Sequence, residues 1–379
     1  MRIDRRILPG TTFDSTGSKA VIHANQDSAN ARGTSAVDLQ SIRSAATMVA
    51  SGTASFMGSG QNNTVSGTSS GIVCGDSNVN SGLNSLIGCG QLNLLSATGG
   101  GCFIGSGAFN QITGSGLLNV ITTGFINTIT STAVGCAIIT GNQNNIPSGS
   151  YNGILTGQFN VTRGSYSCVV TGESNSATGT SSVIVAGSAN SISNDFSAIL
   201  NGANNICGVG TSTILGGAGA RTDTPFEVSW GAFRQSSTNG TAQASNYVLV
   251  TNTTDATSTT MSTSGSTASA SNQVVIPSDR SLTMLIQIVA MQKRGDGSQS
   301  AEFTRKVLIQ NLNGTTAIVG SVQTIGTDIG SNGGSPPAGW AVSITANNTD
   351  DVLAIAVTGA AATNVRWFAR ITAAQVGYT

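Results

Sequence analysis

The chain has 379 residues, enough for two or three domains. Charged residues make up only 8% and balance to a formal net charge of zero, which leaves little to draw the chain toward nucleic acid or acidic lipid. A mean hydropathy of +0.11 with abundant Ile and Val excludes the disorder that pairs low hydropathy with high charge.

At the N-terminus Met1 is followed by Arg2, Arg5 and Arg6 but by no apolar stretch, so no secretory signal is expected. Residues 1–46 carry six of the sixteen basic residues, nearly balanced by Asp4, Asp14, Asp27 and Asp38. Leu39, Ile42, Ala46 and Val49 fall at helical spacing with Ser35 as N-cap, which predicts a short helix. The segment reads as an N-terminal anchor or cap. His23, the sole histidine, reads as a surface or packing residue.

Residues 47–220 are periodic. The word Gly-x-x-Asn recurs at Gly60/Asn63, Gly75/Asn78, Gly90/Asn93, Gly107/Asn110, Gly124/Asn127, Gly141/Asn144, Gly157/Asn160, Gly172/Asn175, Gly187/Asn190 and Gly202/Asn205, and Gly217 closes the series. The steps are 15 or 17 residues with one of 16; Gly116/Asn119 falls out of step and reads as a local duplication. Before the glycines stand aliphatic pairs such as Ile72-Val73, Ile138-Ile139, Ile154-Leu155, Val169-Val170, Ile184-Val185, Ile199-Leu200 and Ile214-Leu215. Two residues after the Asn comes a second aliphatic, as in Val65, Leu95, Ile112, Ile129, Ile146 and Ile192. Two very short strands per period are too little for a helical hairpin and suit one coil of a β-solenoid. Eleven or so coils at the inter-strand spacing would span about 50 Å.

Stacking explains the composition of this region. An Asn at one fixed position can form an amide ladder from coil to coil. Identical charges one coil apart would repel, and between Ala46 and Ala220 the only charged residues are Asp76, Arg163, Glu173 and Asp195. Neighbouring residues of a strand face opposite ways, so one member of each aliphatic pair points outward. The resulting apolar stripe predicts burial against other copies, most simply as a homotrimer; the other reading places both members in a broad flattened core. Cys74 and Cys89 share a repeat position, so they could bond across adjacent coils or remain small buried hydrophobes.

The repeats resemble a known family at this point. Ser174-Asn-Ser-Ala-Thr-Gly-Thr-Ser-Ser-Val-Ile-Val-Ala-Gly187 is similar to the head repeats of trimeric autotransporter adhesins. That resemblance implies a left-handed β-roll wound in a homotrimer, a roll also borrowed by bacteriophage fibre and spike proteins. The period here is 15 to 17 residues where the adhesin repeat is 14.

After Arg221 charge returns. Strands are expected at 226–234, 246–251, 273–276, 282–292, 302–311, 317–323, 340–345, 352–358 and 365–376, a β-sandwich or jelly roll over 221–379. In the last of these Val365, Trp367, Ala369 and Ile371 share the core face. The stretch Val357-Thr-Gly-Ala-Ala-Ala-Thr-Asn-Val-Arg-Trp-Phe-Ala-Arg370 resembles the C-terminal β-domain of phage tail-fibre proteins, which implies a place on a virion.

Chemistry is sparse. Asp76 and Glu173 share a repeat position six coils apart, too far within one chain for the carboxylate pair of a glycosidase; Asp195, one coil from Glu173 at another position, leaves a pair across subunits open, but all three read as solvated corner residues. No nucleophile motif accompanies His23, and no Lys occurs in the repeats to complete a phosphate loop. Arg294-Gly-Asp296, followed by Gly297, reads as a hairpin turn. Thr140, Thr156 and Thr171 form a broken row, which admits an ice-binding solenoid as a rival.

The sequence therefore predicts an all-β protein, a solenoid followed by a sandwich, with no catalytic residue, cofactor or metal. It reads as a structural, homotrimeric phage or viral tail or capsid fibre on the virion surface. The expected partners are itself, other virion proteins through the N-terminal segment, and a host surface glycan or protein, without nucleic acid or membrane insertion. A bacterial trimeric adhesin passenger is the alternative.

Overall fold

The computed structural model describes residues 13–15, 18–20, 32–40, 42–130, 132–231, 238–295 and 297–378. His23 and Asp296 lie outside them. Among the described residues there are strands, turns and bends but no helix. The protein is all-β, a solenoid of about thirteen turns followed by an antiparallel sheet region. It divides into two units, Met1–Ser181 and Ser182–Thr379, so the boundary falls inside the repeat.

In the first unit each coil contributes two two-residue strands, and each strand pairs in parallel with its counterpart one coil on. Front strands such as Phe56–Met57, Gly71–Ile72 and Leu86–Ile87 form one ladder. Back strands such as Thr64–Val65, Val79–Asn80 and Leu94–Leu95 form the other. Between the two, Gln61, Asp76, Gln91, Ala108, Phe125, Asn142, Gln158 and Glu173 bridge coil to coil. The core is one residue wide on each side. Met57, Ile72, Ile87, Ile104, Ile121, Ile138, Ile154 and Val169 fill it from the front, and Val65, Leu95, Ile112, Ile129 and Ile146 from the back, all fully buried.

The first coil begins at Val37–Asp38, which pairs in parallel with Phe56–Met57. The helix predicted across Leu39, Ile42, Ala46 and Val49 is not formed. Ser35, expected as its N-cap, sits at φ 60°, and Leu39 and Ile42 are exposed. Helical spacing arose by chance in a segment whose backbone is claimed by the next coil: Val37 N–H donates to Ser55 O, and Leu39 N–H to Met57 O. The coil's interior is polar. Asp38 is buried and takes the Arg43 guanidinium at 2.8 Å, and Gln40 Oε1 accepts the Asn63 N–H at 2.9 Å. A solenoid end needs such a lid, because its last ring of backbone groups would otherwise offer an open edge.

In the second unit the repeat continues with front strands Val183–Ile184, Ala198–Ile199 and Thr213–Gly216 and back strands Ser191–Ile192, Ile206–Cys207 and Arg221–Thr222. Val228–Gly231 then pairs in parallel with Thr213–Gly216 and antiparallel with Ala242–Thr253, which hands the chain from solenoid to antiparallel sheet. That sheet is centred on Val365–Gly377, flanked by Ala242–Thr253 and Arg280–Gln292, with Ser300–Leu312 beyond. A smaller sheet sets Val352–Thr358 between Ala341–Asn347 and the short strands Thr259–Thr260 and Val274–Val275.

The core between them takes Ile286, Ile288, Phe303, Val307, Trp367 and Ile371 from the large sheet and Ile344, Leu353, Ile355 and Val357 from the small one. The expected core face of the last strand is the observed one: Val365, Trp367, Ala369 and Ile371 are all buried. The Trp367 ring lies 5.6 Å from that of Trp340 and 6.1 Å from that of Phe303, and its indole N–H donates to Thr253 Oγ1 at 3.0 Å.

Candidate functional site

The repeat residues occupy one corner of each coil. Asn63, Asn78, Asn93, Asn110, Asn127, Asn144, Asn160 and Asn175 are buried in the first unit, and Asn190 and Asn205 in the second. Asn127 shows the chemistry. Its backbone N–H and its Nδ2 both donate to Asn110 Oδ1 at 3.1 Å, and Nδ2 also donates to Gly141 O at 2.9 Å. Its Oδ1 accepts the backbone N–H and Nδ2 of Asn144 at 3.1 and 3.2 Å. The amide therefore donates back to the preceding coil's amide and forward to the following coil's glycine carbonyl. Every polar atom of the buried side chain has a partner, which is what makes its burial tolerable.

The glycines Gly60, Gly75, Gly90, Gly107, Gly124, Gly141, Gly157, Gly172, Gly187 and Gly202 all have φ between 98° and 128°. At Gly75 an added Cβ would also overlap the Gly90 carbonyl oxygen and Asn78 Nδ2. Glycine is demanded there by conformation and by space together.

Sequence reasoning missed a second ladder at the opposite corner. Ser70, Ser85, Cys102, Asn119, Cys136, Asn152 and Ser167 occupy it in the first unit. Cys102 N–H donates to Ser85 Oγ at 3.1 Å, Cys136 N–H to Asn119 Oδ1 at 3.0 Å, Asn152 N–H to Cys136 Sγ at 3.4 Å and Ser167 N–H to Asn152 Oδ1 at 2.9 Å. Asn119 thus belongs to a ladder of its own, and the apparent duplication at Gly116/Asn119 is the second corner showing the first corner's residue. Side chains differ along it, but each supplies an acceptor at one place. The period was present in the sequence; a common residue was not.

Each ladder residue follows one in the left-handed region, among them Phe109, Leu118, Ile126, Tyr151, Phe159 and Tyr166. Non-glycine residues enter that region at a cost of about 1 kcal/mol. The turn sends two N–H groups to the preceding coil, that of the left-handed residue, as Phe109 donates to Gln91 O and Tyr166 to Ser150 O, and that of the ladder residue after it, while strand N–H groups donate to the following coil. The corner side chains then stand exposed in columns, with Tyr151 and Tyr166 stacked at 5.2 Å, and Phe109 meets the bridging Phe125 of the next coil edge-on at 5.6 Å.

The two outward faces differ. On the front of the first unit the outward positions include Val37, Leu39, Phe56, Val73, Leu86, Phe103, Val120, Ile139, Leu155 and Val170, and none of the outward front residues is charged. Val73, Ile139 and Leu155 are 44%, 44% and 43% exposed, while their partners Ile72, Ile138 and Ile154 are buried. Size alternates within a coil: Phe56 lies over Gly58 and Phe103 over Gly105, where an added Cβ would stand 3.2 and 3.3 Å from the rings. From Phe56 on, one large side chain per coil gives a level apolar face. The back instead mixes Thr64, Ser66, Ser81, Ser96, Thr113, Thr128, Thr130 and Arg163 with the apolar Val79, Leu94 and Val161. In the second unit Val185, Leu200, Leu215 and Trp230 repeat the front pattern.

No protein-family model matches the chain, and neither does any curated protein. Among solved structures it is distantly similar to phage tailspikes. The Acinetobacter baumannii phage AM24 tailspike protein matches at 10% identity and TM-score 0.24, over 85% of this chain and 63% of that one. The Acinetobacter phage vB_ApiP_P1 tailspike protein matches at 9% identity and TM-score 0.23, over 90% and 80%. A third, the tailspike protein gp49 from Acinetobacter baumannii bacteriophage Fri1, a capsular polysaccharide depolymerase, matches at 9% and 0.23, over 84% and 61%. The chain thus spans less than two thirds of the length of the first and third. Similarity at this level leaves function to the chain's own residues.

Those residues offer little reactive chemistry. Asp76 and Glu173 stand six bridged coils apart. The Asp76 carboxyl is held below its usual range chiefly by the Ser77 hydroxyl, which donates to it at 2.8 Å. Burial raises the thiols of Cys102, Cys136 and Cys168, and pushes that of Cys207 up to about 11, so they are poor nucleophiles. Cys74 and Cys89, which the sequence left open, are joined as a disulfide across adjacent coils with Cα atoms 4.7 Å apart. Among the described residues no group of three or more His, Cys, Asp or Glu could hold a metal.

Glu227, which sequence reasoning did not single out, is buried where the last coil meets the antiparallel sheet. Its Oε1 accepts Ser245 Oγ at 2.6 Å, and its Oε2 accepts the N–H groups of Asp223 and Thr224 at 2.9 and 3.2 Å. Burial outweighs these donors and pushes its pKa up to about 7.

Proposed function

We propose that the chain is a structural, non-enzymatic fibre subunit of a phage or similar virus, homotrimeric, exposed on the particle, and engaged in host attachment through its C-terminal sandwich. The observation that carries this reading is the level, uncharged apolar front face. A soluble monomer rarely leaves so continuous a surface in water. A face without charge or protruding side chains suits other copies of itself, and a cyclic assembly closes it off. The back face, richer in Ser and Thr, then meets solvent. The N-terminal segment joins the fibre to other virion proteins, and three copies of the terminal domain add avidity to weak contacts.

Two further features support the reading. Ladders with every buried polar atom paired make a stiff spacer, and within one chain Asp76 and Glu173 stand six coils apart, too far to act as a glycosidase pair. Gold-labelled antibody to the chain should mark surface appendages of whole particles in electron micrographs. Unlabelled particles, or reducing ends released from host glycans by the purified protein, would overturn the proposal.

A further inference from the structure

We propose that the outward face of the large C-terminal sheet, at the end where its strands turn, binds an acidic saccharide, a sugar chain bearing carboxylates. The inference rests on the fibre reading for its setting and deepens it by naming what the terminal domain takes. The antiparallel register places Arg366 on the central strand with Asn252 on one side and Met291 on the other. Two residues along the same face, Phe368 stands between Val250 and Val289. Met291 and Phe368 are 58% and 46% exposed. The strand ends bring Lys293 and Arg294 to the same place, and together these residues line a groove of about 640 Å³ that shares Asn252, Met291 and Arg366 with another of about 410 Å³ over Phe368.

The chemistry of the groove selects its occupant. It has three cations, no carboxylate among its described lining residues, and no ion pair on Lys293, Arg294 or Arg366 among the described residues. A guanidinium offers a planar fork that matches a carboxylate. Beside it the Phe368 ring and the Met291 thioether present an apolar surface on which the C–H face of a sugar ring can lie. The Asn252 amide and the Thr254 hydroxyl at the rim donate and accept, as ring hydroxyls require. A phosphate would use the cations but leave the ring and the amide idle.

The full-length protein should be tested on an array of uronate- and sialate-bearing oligosaccharides, each printed beside its neutral methyl ester. Acidic members should be retained and their esters should bind about tenfold more weakly, the loss of one charge-assisted hydrogen-bonded contact. Arg366→Gln should lower binding about tenfold, Phe368→Ala should lower it too, and Arg370→Gln, outside the groove on the same strand, should leave it unchanged. Retention of no acidic saccharide, equal retention of the esters, indifference to Arg366→Gln, or displacement by inorganic phosphate at matched concentration would overturn the assignment. A particle-bound trimer that ignores the array rejects this site alone; a monomer that binds through Arg366 rejects the fibre reading alone.

Discussion

The solenoid and the sandwich solve one problem, covering backbone and apolar groups, in opposite ways. In the solenoid the core is one side chain deep, and order comes from two corner ladders that repeat the same hydrogen bonds coil after coil. In the sandwich order comes from a single deep cluster around Trp367, in which each residue has a unique neighbour set. A repeated interaction is specific in the direction of stacking, whereas a packed core is specific at a point. The first builds length, the second builds a surface that can be told apart from others.

The largest expected effect strikes the point-like core. Trp367→Ala should destabilise the sandwich by about 3–5 kcal/mol, since it opens a cavity beside Phe303 and Trp340 and leaves Thr253 Oγ1 without its donor. Denaturant unfolding followed by tryptophan fluorescence measures it. In the solenoid Asn127→Ala should cost about 3 kcal/mol, because it strips partners from Asn110, Gly141 and Asn144 at once. Asn127→Ser should cost less, as serine fills the equivalent role at the other corner. Hydrogen exchange should show protection lost in the flanking coils and kept in distant ones, and a uniform loss would erase the contrast between the two regions.

The junction between the regions adds a pH dependence. Glu227 has a folded pKa of about 7 against an ordinary value of 4.5, so the folded state holds the proton more tightly. Its contribution is fully present below pH ~4.5 and is lost as pH rises through about 7, by roughly 3 kcal/mol at most. Tyr247, raised well above its usual value by the same burial, stays neutral across that window, and Asp223 is paired with Arg221 at 2.6 Å. Melting curves should therefore fall between pH 4.5 and 7 in the wild type and flatten in Glu227→Gln. The smallest effect belongs to the Arg305–Asp328 pair, bonded through two nitrogens at 2.5 and 2.8 Å but partly open to water. Asp328→Asn should cost about 1 kcal/mol and lose most of that difference in high salt.

Much of the fold was legible because its signals are local. The Gly-x-x-Asn period named the first ladder, and alternation named the sandwich strands, Arg280–Gln292 and Val365–Gly377 among them. The second ladder was hidden because serine, cysteine and asparagine serve there interchangeably, so no one residue type marks it. The first coil was hidden because Leu39, Ile42, Ala46 and Val49 imitate a helix while the backbone answers to the coil above. The Arg366 groove was out of reach for another reason: it is made by strands far apart in sequence, and only their register brings Asn252, Arg366 and Met291 into one row.

The central claim, that the apolar front face is covered by other copies of the chain, is tested most directly by sedimentation equilibrium of the full-length protein at micromolar concentration. The account predicts a species of three times the chain mass of 37.9 kDa. A single species at the chain mass itself, with the front face still in water, would contradict it.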